Sequence, residues 1–362
     1  MINIEHSCKN FSHKWLQNSI IYMTKHGSHA YGTNISTSDI DLRGIVVPPM
    51  NYIVGILDNF EQSITNDPYD LVLFDLRKFA KLAMICNPNA IELLFTELED
   101  HLVATRHGHM LLDVRDKFLS KKARFTFAGY ARSQIKRIQR HRRWILNPIV
   151  KSPERADFDL DDHKRLVPKH KLDVINAEVT KMLDKWVPEL SGLEDATKIE
   201  IKNQLENTLV ELKINSDDLA MYAARNLGLN DNLIEAFQKE RKYEQAIADW
   251  KAYLKWKKER NRERYEMEQK YLFDLKHGMH LVRLYKSCTE LLETGILKVK
   301  RHDADELLAI RNGAWTYDQL LEWAEEQEKV VAALYESSPL PYAPDETGIN
   351  ECVMNIIMDF HS

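Results

Sequence analysis

Gly27-Ser28-His29-Ala30-Tyr31-Gly32-Thr33-Asn34-Ile35-Ser36-Thr37-Ser38-Asp39-Ile40-Asp41 leads, over fifteen residues, from a Gly-Ser turn to two aspartates separated by one residue. Immediately before it runs Ser19-Ile20-Ile21-Tyr22-Met23-Thr24, short and rich in β-branched and aromatic residues, the pattern of a buried strand. Gly27 lets the chain turn where a Cβ would clash and lets main-chain N–H groups approach a ligand. Ser28 adds a short hydroxyl, so the pair can cradle a phosphate. Beyond the polar loop, Asp39-Ile40-Asp41-Leu42-Arg43-Gly44-Ile45-Val46-Val47 reads as a second strand. Alternation puts Asp39 and Asp41 on one face and Ile40 and Leu42 in the core. Two carboxylates facing the same way repel unless a cation lies between them. A hard divalent ion with oxygen ligands, most simply Mg²⁺, removes the conflict. Alone, an Asp-x-Asp is ordinarily a solvated turn flank and a Gly-Ser only a turn. Their succession, strand to Gly-Ser to loop to Ser-Asp-x-Asp strand, points to a nucleoside triphosphate held on metal.

Gly27-Ser28, Tyr31-Gly32-Thr33 and Ser38-Asp39-Ile40-Asp41-Leu42-Arg43-Gly44 together resemble the signature of the polymerase-β-type nucleotidyltransferase superfamily. More narrowly, they resemble its RNA-repair-associated branch of predicted nucleotidyltransferases, common in phages and bacteria. Asp70-Leu71-Val72-Leu73-Phe74-Asp75-Leu76-Arg77-Lys78-Phe79 and Asn87-Pro88-Asn89-Ala90-Ile91-Glu92-Leu93-Leu94-Phe95 are similar to the same branch. So are Leu275-Lys276-His277-Gly278-Met279-His280-Leu281-Val282-Arg283-Leu284 and Leu308-Ala309-Ile310-Arg311-Asn312-Gly313. From Asp157 to Tyr271 nothing aligns.

The resemblance implies an α+β fold: a small mixed sheet with flanking helices over residues 1–110, then a large, mostly helical region over 111–362 that forms a cleft wall and binds the acceptor. It implies a third carboxylate on a strand next to the Asp-x-Asp. The candidate strand is Tyr69–Phe74, and Asp70 opens it with Val72 and Phe74 on its face. Asp75 is the alternative, although its place before Leu76-Arg77-Lys78-Phe79 marks it as a helix N-cap. Glu61 is the third choice. The implied chemistry is transfer of an NMP to an acceptor hydroxyl with loss of pyrophosphate on two Mg²⁺ ions, for which Mn²⁺ can substitute. Asp39 and Asp41 would hold one ion with the triphosphate, and Asp70 would join them on the other. Gly27 and Ser28 would grip the outer phosphates, with Ser38, Arg43 and Lys78 as further nucleotide-side candidates.

Lys276, His280 and Arg283 share a helix face by their spacing. That face is either a cationic stripe toward phosphates or a surface paired with acids of a neighbouring helix. His277 with His280 lacks a third partner and is weak as a metal site.

Composition bounds the rest. A chain of 362 residues has room for two or three domains and a sizeable core. Its 44% hydrophobic content is ordinary for a soluble protein. No run of about 18 apolar residues occurs, which excludes a transmembrane helix. Met1–His6 lacks the basic and apolar regions of a signal peptide, so a cytoplasmic location is expected, the host's where a phage encodes the chain. Cys8, Cys86, Cys288 and Cys352 are widely spaced and read as reduced thiols. Oligomeric state is not legible.

The net charge of −5 points to no partner, but its distribution does. Lys117 to Lys151 contains no acid and holds Lys121, Lys122, Arg124, Arg132, Lys136, Arg137, Arg140, Arg142 and Arg143, interleaved with Phe125, Phe127, Tyr130 and Trp144. Phe127, Ala131, Ile135 and Ile138 give it helical spacing. A basic helix of this kind suits a nucleic-acid backbone, and the resemblance implies RNA as that nucleic acid. Against that stands a solvated helix whose charges pair with acids elsewhere.

Helical spacing also marks Leu172–Trp186, Asp195–Leu212, Ser216–Leu227 and an almost unbroken run from Leu233 to about Gly295. The charges of Lys251–Lys270 read as a solvated face. Ser338–Asp345, with three prolines, reads as an extended connection before a last helix from about Thr347. Two other functions fit the motif: nucleotidyl transfer to a protein side chain or small molecule, and a nucleotide-binding module without chemistry.

Overall fold

The computed structural model describes residues 13–56, 58–66, 68–161, 230–260 and 262–362, with isolated positions between 168 and 225. Cys8 and, apart from isolated positions, the helices expected over 172–186, 195–212 and 216–227 lie outside the described residues. In chain order the first elements are β1 (Ile20–His26), α1 (Gly27–Tyr31), β2 (Asp41–Val46), α2 (Met50–Val54), β3 (Gln62–Thr65) and β4 (Asp70–Asp75). Next come α3 (Leu76–Met84), α4 (Pro88–Ile91), β5 (His101–Ala104), α5 (Arg106–Asp113) and α6 (Ala123–Leu146). After residue 230 follow α7 (Asp231–Glu259), α8 (Arg262–Tyr271), α9 (Leu275–Thr294), α10 (Ala304–Arg311), α11 (Tyr317–Ser337) and α12 (Glu346–Phe360).

The α+β architecture expected from the sequence is present. Five strands form one mixed sheet in the order β3-β4-β2-β1-β5. β1 runs antiparallel to β2 and β5, β4 runs parallel to β2, and β3 is antiparallel to β4. Ile20–Met23 in β1 are all buried, as a continuous apolar run in an interior strand must be. Leu42, Val46, Leu71, Leu73 and Met23 share a core with Leu16 and Phe60. A Cβ at Gly44 would meet Leu73 Cδ2 at 2.6 Å and the Tyr22 carbonyl oxygen at 3.1 Å, so close packing of the central strands needs glycine there.

One boundary differs from the expectation in a way that matters for the site. β2 begins at Asp41, because its pairing with β1 ends at His26↔Asp41, where β1 gives way to α1. Asp39 therefore lies in the loop, two residues ahead of the strand. Further on, a tight turn separates α3 from α4. α3 ends, Cys86 takes a left-handed φ of 53°, and Asn87 caps α4 by accepting from the Asn89 N–H at 3.0 Å.

The chain forms two compact units. One runs to Ile135 and resumes at Leu275–Ser362; the other is Lys136–Asp274. In the first, α12 covers α3 and α5, and α9 packs on α10 and α11. The extended segment before α12 is tied to the residues after α5, with Lys121 N donating to Pro341 O at 2.8 Å and Asp345 N donating to Lys117 O at 2.9 Å. α12 thus packs on the faces of α3 and α5 and buries its own Ile349, Val353 and Ile356. Asp345 caps α12, accepting from Gly348 N at 3.0 Å. In the second unit, Trp144 packs on Trp256 and Tyr253 with centroids 5.2 and 5.8 Å away. Arg155 pairs with the buried Glu240 at 2.7 Å, while most side chains of α7 beyond Tyr253 are exposed, as a solvated charged face requires.

Candidate active site

Three strand ends meet at one end of the sheet. Antiparallel pairing brings the last residue of β1, His26, opposite Asp41; parallel pairing brings Asp70 alongside Asp41. The Asp41 and Asp70 carboxyl groups stand side by side on adjacent parallel strands, close enough for each to feel the other's charge. Burial above all holds the Asp41 carboxyl above the usual range; the neighbouring Asp70 carboxyl pushes the same way, against Arg43 and Lys276. Arg43, two residues along β2, bonds Asp70 through Nη2 to Oδ2 at 3.2 Å and Nη1 to the carbonyl oxygen at 2.8 Å. Its guanidinium offsets charge on the carboxylate side. Asp70 remains 42% exposed, so one oxygen-rich face is open to solvent. Oxygen-only donors held this close suit a hard divalent cation, which would offset their mutual repulsion.

The other acids proposed as third carboxylate sit elsewhere. Asp75 is buried at the opposite end of β4, where it caps α3 by accepting from Arg77 N at 2.6 Å and pairs with the Arg77 guanidinium at 2.6 Å. Glu61 pairs with Lys78 at 3.4 Å. Lys78, on the first turn of α3, also donates to Gln62 at 3.2 Å. The structure therefore does not bring Lys78 to Asp41 and Asp70, because it follows the far end of β4.

Gly27 has a φ of +63° and stands directly against Asp41: a Cβ there would overlap Oδ2. Ser28 is half-buried, and its hydroxyl makes no hydrogen bond among the described residues; its carbonyl accepts from Thr33 N at 2.9 Å. The Ser38 hydroxyl is engaged in its own loop, accepting from Ile35 N at 2.9 Å. That bond shapes the approach to Asp39, which is exposed.

The stripe Lys276, His280, Arg283 divides along α9. Lys276 is exposed and close enough to Asp41 to lower its proton affinity. His280 is half-buried one turn on. Of the two readings of this face, Arg283 follows the paired one rather than the phosphate-facing one: it is 4% exposed and turned inward. Its Nη1 donates to Glu92 Oε1 at 2.6 Å, and its guanidinium lies 3.7 Å over the Tyr31 ring. Tyr31 in turn donates to Glu92 Oε2 at 2.7 Å. His26 packs edge-on to Tyr31, and burial, with Arg43 and Arg283 nearby, pushes its imidazole down to about 3, so it is neutral.

His26, Tyr31 and Glu92 had no assigned role in the sequence reading. A signal existed. Glu92 is the one charge in Ala90-Ile91-Glu92-Leu93-Leu94-Phe95, and Arg283 the one charge in Leu281-Val282-Arg283-Leu284. Opposite lone charges in apolar runs are natural partners, since neither can be buried alone.

The acid-free span splits as well. Arg132 pairs with Glu328 at 2.5 Å, Lys117 with Asp345 at 2.9 Å and Arg143 with Asp249 at 2.7 Å. The Lys121 ammonium sits under the Tyr342 ring at 4.5 Å. Arg137 and Arg140 are exposed and make no ion pair among the described residues.

Residues 3–148 match the model of RlaP, the RNA repair pathway DNA polymerase beta family. This agrees with the resemblance carried by Gly27-Ser28 and Ser38–Gly44. An uncharacterised 38.9 kDa protein of the nrdC–mobD intergenic region of Enterobacteria phage T4 is 31% identical over 121 residues, covering 30% of this chain and 35% of that protein. The chain thus spans about a third of that relative's length. No solved structure matches. Among the described residues, no helix is long and apolar enough to cross a membrane.

Proposed function

We propose that the chain is a Mg²⁺-dependent nucleotidyltransferase that moves an NMP from an NTP to an acceptor hydroxyl, on nucleic acid and most directly RNA, in repair or end modification. The observation that carries this reading is the Asp41–Asp70 pair on adjacent parallel strands, within a segment that matches a polymerase-β family. Asp39, Asp41 and Asp70 would hold the metal, with two ions expected and Mn²⁺ an adequate substitute. Bound there, the metal would neutralise triphosphate charge and acidify the acceptor hydroxyl.

The chain's own residues then position and discharge. Gly27 leaves room for Asp41 to face the ligand, and the Ser28 hydroxyl is free to donate to an outer phosphate. Lys276 places an exposed ammonium near Asp41, suited to the charge that builds on departing pyrophosphate. Arg43 keeps the Asp70 carboxylate oriented toward Asp41. The contribution is orientation and charge, with no covalent intermediate.

Transfer to a protein side chain or small molecule is the second reading. It is favoured by the internal pairing of Arg132, Lys117 and Arg143, which takes much of the basic span away from a nucleic-acid backbone. The test is incubation of the full chain with each α-labelled NTP and Mg²⁺, offering RNA, DNA and protein acceptors in parallel. Label is expected on RNA and absent with Asp41→Asn. A folded wild-type protein that labels nothing and releases no pyrophosphate would sink the proposal; label on protein alone selects the second reading.

A further inference from the structure

α1 is a single turn of five residues, Gly27–Tyr31, carrying at its start the glycine that abuts Asp41. A turn this short has no stability of its own, so its place must be set by what packs on it. At its far end Tyr31 is gripped from two sides. Glu92, from the short 3-10 helix Glu92–Phe95, accepts the Tyr31 hydroxyl at 2.7 Å; Arg283, from α9, stacks on the ring at 3.7 Å and closes the triangle by donating to Glu92 at 2.6 Å. The segment after α9 adds a backbone bond, Arg301 N to Tyr31 O at 3.0 Å, and Val299 packs on Ala30 and Tyr31.

A buried ion pair is a poor source of net stability, because desolvating both charges costs about what their attraction returns. What it does supply is orientation: a flat guanidinium and a two-pronged carboxylate fix the ring in one pose. We infer that Tyr31, Glu92 and Arg283 form a clamp that positions α1 and, through Gly27, the Asp41 carboxylate. Arg283 is a positioning residue and does not touch the nucleotide. Two of the clamp's holds on α1, Arg283 and the 299–301 segment, come from beyond residues 3–148, the span matched by the family model. The candidate site is therefore completed by the C-terminal part of the same compact unit. This inference rests on the proposed metal–nucleotide role of Asp41.

The test uses the full chain as wild type, Tyr31→Phe, Glu92→Gln and Arg283→Lys. Each is titrated with Mn²⁺ in the presence of a non-hydrolysable NTP and followed by electron paramagnetic resonance, at a temperature where circular dichroism shows it folded. Loss of the clamp is expected to weaken Mn²⁺ binding about tenfold or more, as loss of a group that orients a metal ligand commonly does. Arg283→Lys weakens it too, since an ammonium keeps the charge but not the stacking plane. Tyr31→Phe removes one hydroxyl and leaves the packing ring, so it decides the matter even if a charge variant fails to fold. Lower melting temperatures with unchanged Mn²⁺ affinity would mean a structural role only and overturn the clamp. Wild-type protein that binds no Mn²⁺ is a separate result: it removes the metal site itself and the clamp's purpose with it.

Discussion

Gly27 and Asp41 contend for the same space: a Cβ built on Gly27 would overlap Oδ2 of Asp41 and stand 3.0 Å from its Cγ, and Gly27 holds a φ of +63°. Gly27→Ala should therefore do two separable things. The left-handed backbone should lower stability by about 1–2 kcal/mol, measured by denaturant unfolding. Displacement of the Asp41 carboxylate should abolish or strongly weaken Mn²⁺ binding in the protein that remains folded. A turn glycine with no part in the site would show the first effect alone.

Asp70 and Asp75 bracket β4 and should behave oppositely. Asp70→Asn is expected to leave the fold and melting temperature nearly unchanged while eliminating Mg²⁺-dependent transfer, since Asp70 is half-exposed and stands beside Asp41. Asp75→Asn is expected to cost about 1–2 kcal/mol of stability, because a buried cap loses its charge to Arg77, and to spare metal binding. Full transfer activity in Asp70→Asn would remove Asp70 from the site.

The parts of this arrangement legible in the sequence were those written in local patterns. The apolar run before Gly27, the strand opening at Asp41 and the cap at Asp75 each involve residues close in the chain. Choosing Asp70 over Asp75 also rested on local alternation, and β4 buries Leu71 and Leu73 while Asp70, Val72 and Phe74 share the other face. The Glu92–Arg283 pair was illegible because it joins residues far apart in sequence, and helical spacing alone cannot tell an exposed cation from one turned inward. The covering of α3 and α5 by α12 was illegible for the same reason: an amphipathic helix declares that it must be covered, but not what it covers. Lys78 went astray through proximity in sequence to a strand whose near end, not its far end, faces the acids.

Acid should reveal His26. Its folded-state value of about 3 lies below the ordinary 6.5, so the unfolded chain takes up a proton that the folded chain refuses. The associated stability is fully present above pH 6.5 and declines as pH falls toward 3, at about 1.4 kcal/mol per unit. His26→Asn should flatten this part of the stability–pH curve relative to wild type, because an amide has no proton to gain. Equal slopes for the two proteins between pH 6 and about 4, by urea unfolding, would show that His26 already titrates normally in the folded state.

Salt dependence discriminates among the cations of α6. Arg137 and Arg140 are exposed and carry no ion pair among the described residues, whereas Arg132 is committed to Glu328, which also accepts the Tyr285 hydroxyl at 2.7 Å. If single-stranded RNA is the acceptor, Arg137→Ala and Arg140→Ala should each weaken binding and reduce the slope of log affinity against log salt by about 0.7, one released counterion per phosphate contact. Arg132→Ala should leave that slope alone and lower the melting temperature, since it strands a half-buried carboxylate. Fluorescence anisotropy across a salt series reads both. A wild-type slope near zero would remove the backbone-binding role from this helix and leave its charges as the solvated face of a packed element.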